Sequence, residues 1–199
     1  MHYVGFMHAK NPSHIFFPAL IAIMVAATAT LAAPVQYTLD AARSTVGFSF
    51  DFQGAQQTGT MPVSRANMLI DLDNVPASSV DVTLDPSGAR AGVIFLTQTM
   101  KGPNVLDTAS FPEIRFVSRR FTGDLNGASV TGDLTVRDIT RPVTLKAGLF
   151  RQRGTQEGDR DALAVLLTGA ISRAAFGADG FPGFVGDQIA LRIIARIEK

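Results

Sequence analysis

Apolar residues recur at every second position in several parts of the chain. The clearest case is residues 45–52, where Val46, Phe48 and Phe50 alternate with small or polar residues. A period of two is the pattern of a β-strand with one buried face. The aromatic side chains on that face either fill a core or line a cavity, and the strand taken alone favours an ordinary core.

Residues 132–149 show the same alternation on both sides of a break. Leu134 and Val136 precede the break at residues 138–142, and alternate apolar positions resume at Val143. The break contains aspartate, which favours turns, and proline, which cannot donate a hydrogen bond within a central sheet. An antiparallel hairpin is therefore predicted, and its apolar face needs further strands to cover it.

Other alternating stretches predict more strands. They cover residues 58–63, 66–72, 80–84, 114–118, 163–171 and 189–197. Helical spacing replaces the alternation over residues 89–101, which predict the one substantial helix, ended by Gly102 and Pro103. Eight or more antiparallel strands with one helix indicate a mainly β domain. It is either a closed barrel or a two-sheet sandwich, which periodicity does not separate.

The predicted strand over residues 163–171 is apolar on both faces. Leu163 and Val165 lie on one face, and Ala164 and Leu166 lie on the other. The second face of such a strand is covered by the helix or lies at an interface, such as that of a homodimer.

Residues 1–33 have the order of a secretory signal peptide. A short polar start precedes a strongly apolar segment, residues 15–25, and then a run of small residues. Cleavage is expected between Ala29 and Ala33, which leaves residues 34–199 as the mature domain. The alternative is an uncleaved membrane anchor, because the apolar and small residues together are barely long enough to span ~30 Å of hydrocarbon.

Composition excludes several kinds of chemistry. The chain has no cysteine and no tryptophan, and its three histidines, His2, His8 and His14, all lie in the predicted signal peptide. The mature domain therefore lacks the residues for Ser-His-Asp or Cys-His catalysis, for haem ligation through His or Cys, and for ordinary His-based metal sites. It is expected to be no enzyme and to need neither a metal nor a cofactor.

The mature domain carries no formal net charge. Of the 18 lysines and arginines, only Lys10 lies in the predicted signal peptide, which leaves 17 basic residues against 17 acidic ones. A neutral domain without a basic run has no electrostatic basis for binding nucleic acid or an anionic membrane.

Four segments in a fixed order carry a family resemblance. They are Leu39-Asp40-Ala41-Ala42-Arg43-Ser44-Thr45-Val46-Gly47-Phe48, Met100-Lys101-Gly102 with Phe111-Pro112-Glu113-Ile114, Gly132-Asp133-Leu134-Thr135-Val136 through Pro142-Val143-Thr144-Leu145, and Ile171-Ser172-Arg173 with Val185-Gly186-Asp187. Together they resemble the YceI family of periplasmic, lipocalin-like proteins that bind polyisoprenoid lipids. The chain departs from the family pattern at Arg43, where His is common, at Tyr37, where Trp is common, and at Val105-Leu106, where Phe-Phe is common.

The resemblance implies an extended lipocalin-like β-barrel with one helix, located in the periplasm and holding a long isoprenoid lipid. Eleven apolar residues are expected to face its cavity: Val46, Phe48, Phe50, Ile70, Ile114, Phe116, Leu134, Val136, Val143, Leu145 and Ile193. Because none of them is ionisable, the cavity is expected to select a hydrocarbon. Each buried methylene contributes ~0.8 kcal/mol against an association cost on the order of 4–15 kcal/mol. Micromolar binding therefore needs a tail of roughly twenty or more carbons.

Head-group selection is expected at the rim of the barrel. The candidates within the family-like segments are Lys101, Arg137, Arg141 and Arg173. The alternative is that they are solvated cations beside nearby aspartates. The loop Phe181-Pro182-Gly183-Phe184 either covers the mouth of a cavity or is a glycine-rich turn.

Three functions follow from these features. The first is a periplasmic carrier for an isoprenoid lipid with a polyprenyl or quinone-type tail. The second is a non-catalytic accessory that presents a quinone to a membrane b-type cytochrome. The third is a structural β-domain with a dry core and no ligand.

Overall fold

The computed structural model of the protein describes residues 1–2, 33–152, 154–156 and 158–199. The predicted signal peptide, residues 1–33, and its expected cleavage site therefore lie almost wholly outside the described residues. From residue 33 onward, the described residues belong to one compact unit. Within the described ranges, no helix combines the length and apolarity needed to cross a membrane.

Eleven β-strands are found in the described part of the chain, and every paired neighbour is antiparallel. They are β1 (Val35–Leu39), β2 (Thr45–Phe52), β3 (Ala55–Met61), β4 (Val63–Ile70), β5 (Ser79–Leu84), β6 (Arg90–Ala91), β7 (Ile114–Asp124), β8 (Gly127–Val136), β9 (Ile139–Arg151), β10 (Ala162–Ser172) and β11 (Gln188–Glu198).

Eight of these strands close into a ring. Their order is β1-β4-β5-β7-β8-β9-β10-β11, and β1 pairs with β11 to complete the circle. The remaining three extend the wall from β11 through β2 and β3 to β6. The predicted mainly β, closed antiparallel barrel with one helix is confirmed, and the sandwich alternative is wrong because the sheet has no break.

Two pairs of consecutive strands connect the eight-strand ring with the extension formed by β2, β3 and β6. β1 and β2 lie end to end along the same edge of β11, with Leu39 opposite Ile197 and Thr45 opposite Ile194. β3 and β4 are separated only by Pro62, which has no N–H to donate to a neighbouring strand. Each pair therefore behaves as one long bent strand, and Pro62 is the reason that the predicted strands over residues 58–63 and 66–72 are divided differently.

The predicted helix over residues 89–101 is wrong at its start. The helix, α1, covers Ile94–Lys101, because Arg90 and Ala91 pair with β3 as the short edge strand β6 and Gly92 turns the chain with a φ of +50°. The Ala91 N–H donates to Thr97 Oγ1 at 2.9 Å, which fastens α1 to β6. The outward residues of β10 stay partly exposed, so covering by the helix does not explain their apolar character.

β7 contains a bulge between Ser118 and Arg120. Ile114 and Phe116 face the interior, as predicted from their alternation, and Phe121 takes the next inward position after the bulge. An extra residue reverses the face on which the following side chains lie, so simple alternation does not place Phe121 inside.

The strand connections gather at two ends of the barrel. One end, called the mouth here, carries the β2–β3 turn, the β5–β7 connection with α1, the β8–β9 turn and the β10–β11 connection. The opposite end, called the base, carries the β4–β5, β7–β8 and β9–β10 connections. An apolar cluster packs at the base, and its buried members are Tyr37, Met68, Leu163 and Ile197. The Tyr37 hydroxyl donates to the Arg160 carbonyl at 2.7 Å, so this buried polar group is satisfied.

Gly59 is required where β2, β3 and β6 meet. A Cβ atom there would lie 2.2 Å from Phe48 Cζ and 2.5 Å from the Arg90 carbonyl oxygen. We expect Gly59→Ala to lower the free energy of unfolding by about 1–3 kcal/mol, because the phenyl ring of Phe48 and the edge strand β6 must both shift. Denaturant unfolding measures this loss. The control is Gly127→Ala, where the added Cβ would have no neighbour within 4 Å; equal midpoints for the two variants would contradict the expectation.

Candidate ligand-binding cavity

One cavity of about 610 Å³ runs through the interior of the barrel. All eleven residues predicted to face a cavity line it: Val46, Phe48, Phe50, Ile70, Ile114, Phe116, Leu134, Val136, Val143, Leu145 and Ile193. Their alternation places them on the inner face because successive side chains of a strand lie on opposite faces. Their part in holding a ligand stays a prediction.

The cavity has the size and shape for a long ligand. Its lining on β11 extends from Ile189 to Ile197, which is roughly 26 Å at the usual rise of a strand. The volume has room for about twenty water-sized groups at ~30 Å³ each. It lies within the ~300–1,000 Å³ typical of small-molecule sites.

Polar side chains are few along this cavity and lie near its ends. Among the described lining residues they are Ser44 towards the base and Gln53, Thr99 and Arg173 towards the mouth. No carboxylate belongs to the described lining, and no group of three or more potential metal-binding side chains occurs in the described ranges. Because an unpaired polar group inside would be costly, the middle of the cavity favours hydrocarbon.

Arg173 is buried, with 8% of its surface exposed, and its guanidinium lies among backbone carbonyls. Nε donates to Gly186 at 3.1 Å, Nη1 to Ala178 and to Gly180 at 2.8 Å, and Nη2 to Val185 at 3.0 Å. Four of its five N–H groups are thus used by the segment that follows β10. Arg173 is therefore not a solvated cation, although Asp187 is close enough to interact with its charge.

The other head-group candidates also lie at the mouth. Arg137 donates to the Gly177 carbonyl at 2.6 Å, with its guanidinium 5.3 Å from the centre of the Phe111 ring. Arg141 is exposed and donates to the Ala175 carbonyl at 3.3 Å, and Lys101 is the last residue of α1. Sequence reasoning missed these contacts with carbonyls, because nothing in the local pattern marks a main-chain partner. A head-group role for any of the four cations stays a prediction.

The β10–β11 connection, residues 173–187, is called the mouth loop here. Phe181, Phe184 and Val185 within it line the cavity, which favours the first of the two interpretations of this segment. The Gln53 N–H donates to the Phe184 carbonyl at 2.9 Å, and the Gly186 N–H donates to the Asp51 carbonyl at 3.0 Å. These bonds join the mouth loop to the end of β2, so it forms part of the rim.

The other side of the mouth is formed by α1. Phe95, Leu96 and Met100 line the cavity from this helix, and Phe176 lines it from the mouth loop. None of these was predicted as a site residue, although the helical spacing of Leu96 and Met100 signals an apolar helix face. The cavity reaches the surface between Phe95 and the mouth loop, where the lining side chains are also solvent-exposed.

Asp187 fixes the end of the mouth loop. Its carboxylate accepts hydrogen bonds from the Ser172 hydroxyl and, at 2.9 Å, from the Ala174 N–H, and the first of these is the main reason that the pKa of Asp187 lies below its ordinary value. A carboxyl group whose pKa is lower in the folded state stabilises that state above its unfolded pKa of ~3.9. This stabilisation is lost as the pH falls through the lower folded value.

We therefore expect Asp187→Asn to flatten the fall in unfolding free energy below about pH 4, compared with the unchanged protein. Urea unfolding across a series of acidic buffers measures the slope. Ser172→Ala removes the hydroxyl that contributes most to the lowered pKa of Asp187, so we expect it to flatten the pH dependence as well. Parallel profiles for Asp187→Asn and the unchanged protein would show that this carboxylate does not contribute.

Comparisons with known proteins agree with this architecture. The YceI protein of Escherichia coli O17:K52:H18 (strain UMN026 / ExPEC) is 26% identical over 141 residues, which cover 70% of this chain and 74% of that protein. The crystal structure of BcnA from Burkholderia cenocepacia superimposes with a TM-score of 0.71 at 19% identity, covering 80% of this chain and 99% of BcnA. A crystal structure of YceI from Campylobacter jejuni has a TM-score of 0.59 at 18% identity, covering 71% and 84%.

The two crystal structures share the fold with this chain. Family membership comes from the sequence, because the model of the YceI-like domain family matches residues 37–197. This range includes every strand from the middle of β1 to the end region of β11 and all eleven predicted cavity residues. The chain therefore belongs to the YceI-like family.

Proposed function

We propose that the protein is a non-catalytic carrier that holds one long isoprenoid lipid inside its barrel. The observation that carries the proposal is the apolar cavity of about 610 Å³ within the described residues, which has a buried apolar cluster at the base and solvent-exposed lining side chains at the mouth. A hydrocarbon tail matches its lining, and polar residues near the mouth leave a place for a head group.

The energy of burial agrees with a long tail. Twenty methylenes at ~0.8 kcal/mol each outweigh an association cost on the order of 4–15 kcal/mol. A short acyl chain of about ten carbons would only balance that cost. The tail is therefore of polyprenyl, quinone or long-acyl length.

Location and mode of action are part of the same proposal. The signal-peptide pattern of residues 1–33 supports export to the periplasm. The lack of Cys and His in residues 34–199 supports binding without catalysis and without a cofactor other than the lipid itself.

A quinone is the second candidate ligand, and one observation favours it. Gln53 and Thr99 are uncharged polar residues near the mouth, and their side chains offer hydrogen-bond donors for the carbonyl oxygens of a quinone ring. In this case the protein would present the quinone to a membrane b-type cytochrome. A polyprenyl phosphate would instead need Lys101 or Arg141 to turn towards its head group.

Native mass spectrometry of protein purified from its own host tests the proposal. We expect a mass increment equal to one lipid, which solvent extraction removes and which fragmentation identifies as an isoprenoid. A quinone would in addition change its ultraviolet absorption on reduction. Lipid-free protein that also fails to take up an isoprenoid from detergent micelles would leave the structural β-domain as the remaining function.

A further inference from the structure

Five large apolar side chains surround the mouth without covering one another. They form what is called here the apolar rim: Val93, Ile94 and Phe95 at the start of α1, exposed by 64%, 80% and 67%, and Phe181 and Phe184 of the mouth loop, exposed by 42% and 54%. Exposed apolar residues are ordinary when scattered, but a group that surrounds a cavity entrance marks an interaction surface.

The two segments of the apolar rim are held firmly in place. Thr97 bonds the start of α1 to β6 through both backbone groups of Ala91, and the Gly92 N–H donates to the Thr58 carbonyl at 2.9 Å. On the other side, the Arg173 guanidinium and the end of β2 hold the backbone of the mouth loop. The aromatic side chains are thus presented outward by fixed backbone instead of folding into the core.

The charge pattern indicates what these segments meet. Residues 91–100 and 180–186 contain no ionisable side chain, and ionisable residues bound each run: Arg90 and Lys101 for the first, Asp179 and Asp187 for the second. Neutral apolar segments with charged ends suit the boundary between head groups and acyl chains of a bilayer. With 17 basic and 17 acidic residues in residues 34–199, insertion and not long-range attraction would drive such binding.

We infer that the apolar rim docks the mouth onto a lipid bilayer, so that a lipid passes between membrane and cavity without crossing water. The inference rests on the proposed carrier function, because it supplies the route by which the proposed ligand enters. Phe95, Phe181 and Phe184 belong both to the apolar rim and to the cavity lining, which makes the two apolar surfaces continuous. A tail entering along them would remain in contact with apolar atoms throughout.

The absence of tryptophan from the chain provides a direct test. Ile94→Trp places a single indole on the apolar rim, and the control Phe150→Trp places one on the outer wall, where Phe150 is 53% exposed. With phosphatidylcholine vesicles, we expect Ile94→Trp emission to shift to shorter wavelength and to be quenched by brominated acyl chains. Phe150→Trp should respond to neither. If the emission of Ile94→Trp does not change when vesicles are added, the inference is overturned.

Two further measurements identify what buries the indole of Ile94→Trp. Adding phosphatidylglycerol should change vesicle binding by less than about twofold, because insertion is apolar; binding restricted to anionic vesicles overturns the inference. A blue shift that appears without vesicles and rises with protein concentration, together with a dimer in sedimentation, would assign the apolar rim to a second copy and overturn it as well.

A double variant separates docking from ligand binding. Neither Val93 nor Ile94 lines the cavity, so Val93→Ser combined with Ile94→Ser should still bind an isoprenoid supplied in detergent micelles. Its partition onto vesicles, and its uptake of the isoprenoid from them, should fall by at least about tenfold. If the unchanged protein takes up no isoprenoid from either source, the carrier function fails, whereas the indole response still decides whether the apolar rim enters a bilayer. Unchanged partition of the double variant overturns docking even if the carrier function holds.

Discussion

Replacement of Arg173 by methionine is expected to lower the free energy of unfolding by at least about 3 kcal/mol. The guanidinium donates to the carbonyls of Ala178, Gly180, Val185 and Gly186, and methionine fills part of the space but donates to none of them. Each buried acceptor that loses its partner costs about 1–3 kcal/mol, reduced where the mouth loop can reach water. The midpoint and slope of denaturant unfolding measure the effect.

The matched control is Arg141→Met. Arg141 is exposed and donates one hydrogen bond of 3.3 Å, so its replacement should change stability by less than about 0.5 kcal/mol. Arg173→Lys keeps the charge but places its donors on a single nitrogen, so its stability should lie between those of Arg173→Met and Arg141→Met. If Arg173→Met unfolds at the same denaturant concentration as Arg141→Met, the guanidinium does not stabilise the mouth loop.

Leu134→Trp is expected to reduce isoprenoid binding by roughly two orders of magnitude. Leu134 lies on β8 with its side chain in the cavity lining, where the larger indole would occupy space proposed for the ligand. Displacing about four methylene-sized groups at ~0.8 kcal/mol each accounts for a loss of this size. Retention of the isoprenoid after gel filtration, quantified by mass spectrometry, measures it.

The stability of the lipid-free variant distinguishes a cavity from a packed core. Overpacking a dense interior costs typically ~1–3 kcal/mol. Here the indole has open volume beside it, so we expect a change below about 1 kcal/mol, with lost dispersion contacts partly restored. Thr135→Trp is the control, because Thr135 lies on the outer face, where its hydroxyl meets that of Thr140 at 2.8 Å. Strong destabilisation by Leu134→Trp, together with no lipid retained by the unchanged protein, would indicate a dry core.

The interior of the barrel could be predicted because strand geometry is strictly periodic. Leu134 and Val136 face inward since alternate side chains of a strand lie on opposite sides, whatever the partner strand contains. Phe121 was not predicted, because the bulge in β7 changes the phase of the alternation and leaves no local sequence signal. The helix start was misplaced for a related reason: Arg90 and Ala91 pair with a strand 30 residues earlier, and that pairing overrides their helical spacing.

The mouth could be predicted only in outline. Arg173 lies in a family-like segment, but its partners are main-chain carbonyls, which every residue possesses and which no sequence pattern distinguishes. The segment with Phe181 and Phe184 is compatible with a loop over a cavity and with a simple turn, because glycine-rich loops with aromatic residues occur in both settings. Whether a loop lies over an opening depends on how the strands close, and this is a property of the whole sheet.

The pairing of β1 with β11 determines when the barrel is complete. Thr38 lies opposite Glu198, so the ring closes between residues that are 160 positions apart along the chain. Contacts of such long sequence separation slow the folding of all-β domains. A chain still lacking β11 would leave β1, β2 and β10 each with an unpaired edge, open to water and to other chains. The cavity is therefore enclosed only when β11 has paired with β1, β2 and β10, and a ligand cannot be surrounded before that pairing.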